Sequence, residues 1–118
     1  MGCGVVRSST TAKLPQTKGE TMTPEKKVKT KVVAILKELG TYYFYPIAGG
    51  YGASGVPDIV GCYKGKFFAI ECKAGKGKTT ALQDKNIAQI IAQNGLAIVV
   101  NEDNLEDVNE LLRQIERS

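Results

Sequence analysis

A chain of 118 residues, 42% hydrophobic and 24% charged, has the length and balance of one globular domain with a single modest core. It carries three cysteines and no histidine, which excludes imidazole bases, Ser/Cys–His pairs and histidine-completed zinc sites, and no apolar run nears the roughly 20 residues of a membrane span. The net charge of +4 is uneven: ten lysines against four carboxylates from Met22 to Thr79 give +6, and three basic against seven acidic residues from Thr80 onward give −4, the pattern of one polyanion-facing and one solvated side.

Residues 1–21 are rich in Gly, Ser, Thr and Lys without apolar periodicity, and read as a disordered or tag-like extension before a domain over 22–118. The opening Met-Gly-Cys hints at N-acylation, but Val6 stands where the myristoylation pattern wants Ser or Thr. The odd cysteine count and the lack of an apolar leader point to a reducing, intracellular compartment.

The first helix is expected to start with Thr23 as N-cap and Pro24 at the first helical position, and to end at Gly40. Val28, Val32, Ile35, Leu36 and Leu39 form its core stripe. Glu25, three residues before Val28, turns toward the same side. Either it favours the positive helix end, or it leans into a site as a further carboxylate.

A strand over Thr41–Ala48 follows, then the loop from Gly49 to Gly55. That loop is either a mobile glycine segment or a close-approach surface on which Tyr51 stacks against a base or sugar.

Val56–Lys73 reads as two strands joined at Lys64-Gly65. A two-residue turn puts Tyr63 opposite Lys66 and, by the same register, Asp58 opposite Glu71, with Cβ atoms roughly 4.5–5.5 Å apart. Lys73 shares the face of Glu71 because side chains alternate. Two carboxylates that close repel, and a divalent cation held by oxygen would resolve the conflict. The plainer reading is a surface hairpin with a cross-strand ion pair, but both strands are too apolar for a solvated edge. A bulge at the glycine turn would shift the register and separate Asp58 from Glu71. Cys62 and Cys72 are small apolar strand residues, not a metal pair.

Ala74–Thr80 looks like a phosphate loop, since Gly77-Lys78-Thr79 lies between a strand and a helix, but Cys72 stands where that motif needs its first glycine. Its lysines, Lys76 and Lys78, and its backbone N–H groups remain available to a nucleic-acid phosphate. A second helix begins at Thr80, buries Ile87, Ile90 and Ile91, and ends at Asn94-Gly95. Gln83 turns inward and also fits a capping box with Thr80. Leu96–Val100 reads as a strand buried on both faces, and Asn104 as the cap of a last helix with Leu105, Val108, Leu111, Leu112 and Ile115 facing the core.

The order α-β-β-β-α-β-α gives an α/β fold, a mixed sheet flanked by helices. Pro57-Asp58 and Glu71-Cys72-Lys73 on consecutive strands behind a helix resemble the PD-(D/E)xK nuclease superfamily, with its restriction-endonuclease-like αβββαβ core. More narrowly, Gly55-Val56-Pro57-Asp58, Ile70-Glu71-Cys72-Lys73 and Gln83 resemble the virus-type replication-repair nuclease (VRR-NUC) family, whose small stand-alone members occur in phages and which is related to the C-terminal domain of the Fanconi-associated nuclease.

That resemblance implies a metal-dependent, structure-selective DNA endonuclease on branched DNA such as Holliday junctions, acting in phage replication, recombination or repair. It would work as a homodimer in a bacterial host's cytoplasm. It implies that Asp58, Glu71 and the Cys72 carbonyl hold Mg²⁺ or Mn²⁺ with help from Glu25. Lys73 would orient or deprotonate the attacking water or stabilise phosphoryl charge, and Gln83 would position Lys73 or the phosphate. Ser54 stands where an arginine is common in the family, which bears on one phosphate contact. The rival readings are a restriction-like or nicking nuclease on linear duplex, and a non-catalytic DNA-binding subunit of the same fold.

Overall fold

The computed structural model describes residues 22–47 and 55–118. The extension at 1–21 and the loop residues Tyr51 and Ser54 lie outside the described residues. The elements are α1 (Pro24–Glu38), β1 (Tyr42–Phe44), β2 (Ile59–Tyr63), β3 (Lys66–Cys72), α2 (Ala81–Ala92), β4 (Leu96–Val100) and α3 (Glu106–Arg117), in the order expected of a restriction-endonuclease-like core with an added helix.

Thr23 caps α1 by accepting the Lys26 N–H on its side-chain oxygen at 3.2 Å, with Pro24 in the first turn. Val28, Val32 and Leu36 form the buried stripe. Leu39 does not belong to it: it is the C-cap residue and 37% exposed, where the chain turns away through left-handed Gly40.

The sheet runs β1-β2-β3-β4, antiparallel through β3, with β4 parallel to β3 after the crossover through α2. Lys64 (φ 52°) and Gly65 (φ 82°) both take positive φ, as a type I′ turn requires. Tyr63 therefore pairs with Lys66 and Ile59 with Ile70, without a bulge. β1 is shorter than expected: its last partner is Val60, β2 begins only at Ile59, and Pro46 has no N–H for a ladder.

One face of the sheet, with Ile59, Phe68, Ile70, Cys72 and Val100, closes against α1 and α3 to form the core. β4 is an edge strand and only Val100 is fully buried, so the expectation of burial on both faces fails. α2 lies against β3 and β4 and buries no residue fully: Ile87 and Ile90 are half-buried, and Ile91 points outward, 53% exposed. Nothing among the described residues covers its outer side.

In α3, Val108, Leu111, Leu112 and Ile115 are buried as expected. Asn104 does not cap that helix. Its side chain accepts the Asn101 N–H and donates to the Val99 carbonyl and to Asp107, tying the loop to β4.

Candidate metal centre

Four element ends converge: the start of α1 brings Glu25, the entry to β2 Asp58, the exit of β3 Glu71 and Lys73, and the start of α2 Gln83. Asp58 precedes the first paired residue of β2, and its Oδ2 accepts the Cys72 N–H at 2.9 Å. That bond holds one carboxylate beside the other, as the turn register predicts.

Glu71 is 2% exposed, the one buried charged side chain among the described residues. Its Oε2 accepts from Gln83 Nε2 at 2.8 Å and pairs with Lys73 Nζ at 3.4 Å. Its Oε1 is buried with no partner. Burial first, then the Asp58 charge, push its pKa up to about 7, while Lys73 pulls it back and Glu25 adds a smaller push.

Glu25 is exposed rather than buried, yet carboxylate oxygens of Glu25, Asp58 and Glu71 all lie within 4.8 Å of one another. Three carboxylates and one orphaned oxygen in so small a space fit a hard divalent cation, which takes oxygen ligands and relieves the repulsion. The Cys72 thiol is no ligand. It sits in the core, and burial, with Asp58 and Glu71, raises its pKa to about 12, so it stays protonated.

Gln83 has two roles at once. Its Oε1 accepts the Thr80 N–H at 2.9 Å in a complete capping box, and its Nε2 reaches Glu71. The segment entering Asp58 is packed onto the same helix start. Gly55 has φ +77°, and a Cβ there would lie 2.6 Å from the Leu82 carbonyl carbon.

Glu25, Asp58, Glu71, Lys73 and Gln83 are thus brought together. Lys76 and Lys78 stand exposed in the loop between β3 and α2. Three of the backbone N–H groups of that loop are not free to take a phosphate. The Gly75 N–H donates to both oxygens of the Glu102 carboxylate (3.0 and 3.1 Å), Gly77 to the Ala74 carbonyl (2.9 Å) and Thr80 to Gln83, so these donors are already engaged.

Lys26 and Lys29 were legible only as part of a charge count. Both line the depression of about 290 Å³ that holds Glu25 and Asp58. Lys29 follows Glu25 by four residues, the spacing that puts two side chains on one helix flank, and that signal was available.

A family model described as archaeal Holliday junction resolvase (Hjc) matches residues 24–99, a span that contains all five clustered residues. Comparison with curated proteins gives no match.

Proposed function

The chain belongs to the archaeal Holliday junction resolvase (Hjc) family of the PD-(D/E)xK nuclease superfamily, and from that premise we propose a divalent-metal-dependent endonuclease that hydrolyses phosphodiester bonds in four-way DNA junctions. The observation that carries the reading is the buried Glu71 carboxylate, with one oxygen unpartnered and the other beside Lys73, within reach of Asp58 and Glu25. A DNA-binding module has little use for such a cluster, which repels phosphate unless a cation fills it.

Asp58, Glu71 and Glu25 would hold Mg²⁺ or Mn²⁺, with the Cys72 carbonyl as a further oxygen. The cation supplies an acidified water and polarises a phosphoryl oxygen, so no histidine is required. Lys73 lies against Glu71, where its charge can orient the attacking water and offset negative charge on the scissile phosphate. Gln83 keeps Glu71 in place through Nε2. The starts of α1 and α2 add their positive dipole ends to the same anion-attracting region.

The narrower likeness, a small phage-type VRR-NUC-like nuclease, rests on the Gly55–Asp58 and Ile70–Lys73 motifs and is part of this proposal, as is a homodimer. A two-fold pair presents two equivalent sites to two strands of a junction. Tyr42, Cys62 and Phe67 lie side by side on the sheet face away from the core, exposed and without charge, a surface that can meet its own copy without repulsion.

The test is cleavage of four-way junction, flap and linear duplex DNA in Mg²⁺, Mn²⁺ or EDTA, with sedimentation to count protomers. Metal-dependent cutting of the junction, lost in Lys73→Ala, is expected. No metal-dependent cutting of any substrate would leave a non-catalytic binding subunit, and cutting of linear duplex alone a restriction-like enzyme.

A further inference from the structure

Beside the carboxylate cluster runs a second depression, a cleft of about 520 Å³ between the outer face of α1 and Tyr45. Lys26, Lys29, Val33 and Lys37 line it, at spacings of three, four and four residues. They form one stripe on the flank of the helix, beside the Val28, Val32 and Leu36 core stripe, with Val33 reaching the edge of the core. Lys26 and Lys29 also line the smaller depression with Glu25 and Asp58, so the two depressions adjoin along this pair of lysines.

From this arrangement we propose that the α1 cleft binds the sugar–phosphate backbone of a DNA arm leading away from the carboxylate cluster. The proposal rests on the nuclease reading, since it takes DNA as what passes through the cluster.

The chemistry of the lining favours that occupant. Among the described residues the ion pairs belong to Lys73, Arg113 and Arg117, and none to Lys26, Lys29 or Lys37. Three cations on one stripe, none held in an ion pair, repel one another and favour a polyanion. From Lys26 to Lys37 the helix rises about 16 Å at 1.5 Å per residue. At about 3.4 Å per phosphate along one strand, that spans roughly five nucleotide steps.

The floor is not bare charge. Val33 and Ala34 on α1 and the Tyr45 ring offer an apolar surface for deoxyribose. Lys29 Nζ lies 4.6 Å from the Tyr45 ring centroid, which holds its ammonium across the cleft rather than out in solvent. A lysine row that merely solvates a helix needs neither that anchor nor a place beside a carboxylate cluster.

The experiment measures binding of a fluorescent four-way junction in EDTA, across a salt series, for wild type, Lys29→Ala/Lys37→Ala, Tyr45→Ala and a control, Lys85→Ala on α2. The cleft lysines are exposed or half-buried, and their replacement should leave the thermal midpoint unchanged. Each lost phosphate contact lowers the slope of log K against log salt by about 0.9. The double variant should therefore lose close to two units of slope and about tenfold or more in affinity at 0.1 M salt. Tyr45→Ala should weaken binding with little change in slope, and Lys85→Ala should match wild type. In cutting assays with metal, the double variant should raise KM and keep kcat.

Wild-type slope and affinity in the double variant would overturn the cleft as a DNA site while leaving the nuclease reading intact, as would equal losses in Lys85→Ala. Failure of the wild type to bind or cut DNA would remove both. Unchanged DNA binding together with lost binding of a polyglutamate peptide would assign the cleft to an acidic protein partner and overturn the proposal.

Discussion

Gln83 donates from Nε2 to Glu71 Oε2 at 2.8 Å while its own Oε1 accepts the Thr80 N–H at 2.9 Å. One amide therefore fixes the start of α2 and the orientation of the buried carboxylate. An amide suits this because it offers a donor and an acceptor on one uncharged planar group.

Gln83→Glu separates the two roles. A carboxylate can still cap Thr80, but it sets an oxygen against Glu71 Oε2 instead of a donor. Without metal, the variant should be less stable than wild type at pH 8, with the difference shrinking toward pH 5 as the carboxyls protonate. Thermal unfolding at the two pH values measures it. Equal destabilisation at both would mean that Gln83 acts on the helix alone.

The raised pKa of Glu71 predicts a pH-dependent stability. Between its unfolded value of 4.5 and its folded value of about 7, the folded protein holds a proton that the unfolded chain has released. Stability therefore falls as pH rises through that window and levels off above it. The fall is on the order of 3 kcal/mol at 1.36 kcal/mol per pKa unit. Urea unfolding of the metal-free protein should show it, and Glu71→Gln should flatten it. A saturating divalent cation should reverse the fall, because bound cation favours the ionised form. A flat profile in wild type would contradict the geometry of the cluster.

Gly55→Ala should cost about 2 kcal/mol or more, since left-handed φ and a 2.6 Å approach to the Leu82 backbone act together. It should also weaken Mn²⁺ binding, because the same approach seats the segment before Asp58 against the helix that carries Gln83. Calorimetric titration with Mn²⁺ beside thermal unfolding separates the effects. Full stability in Gly55→Ala would show that this packing is soft.

At the hairpin tip, a Cβ on Gly65 would touch nothing within 4 Å, so the cost of Gly65→Ala is conformational, about 1–2 kcal/mol. Lys64→Asn should stabilise by a few tenths of a kcal/mol, because asparagine tolerates positive φ better than lysine. Urea midpoints should move in opposite directions at constant m value. A gain from Gly65→Ala would be inconsistent with a type I′ turn.

Much of the site is legible in the residues because its geometry is local. A two-residue turn with a glycine sets the Asp58–Glu71 register from the tip, and alternation puts Lys73 beside Glu71. Thr23-Pro24 and Thr80–Gln83 mark where two helices begin, and with them where Glu25 and Gln83 stand. Ile91 and Val99 are exposed where burial was expected, since helical periodicity in the one case and an apolar run in the other report a potential face and not whether anything packs on it. Asn104 was misread as a cap because its side chain found partners outside the helix, on Asn101 and Val99.

By itself, then, the sequence determined the element order and the hairpin register, each set by residues a few positions apart, and, through its composition, the absence of imidazole chemistry. The tertiary structure alone decided what depends on distant segments. It brings the exposed Glu25 to the buried pair, leaves Glu71 Oε1 without a partner, turns the Gly75 N–H toward Glu102, and lays Tyr45 across Lys29. Those contacts join residues from about 16 to 46 positions apart, and no periodicity or spacing rule reaches that far.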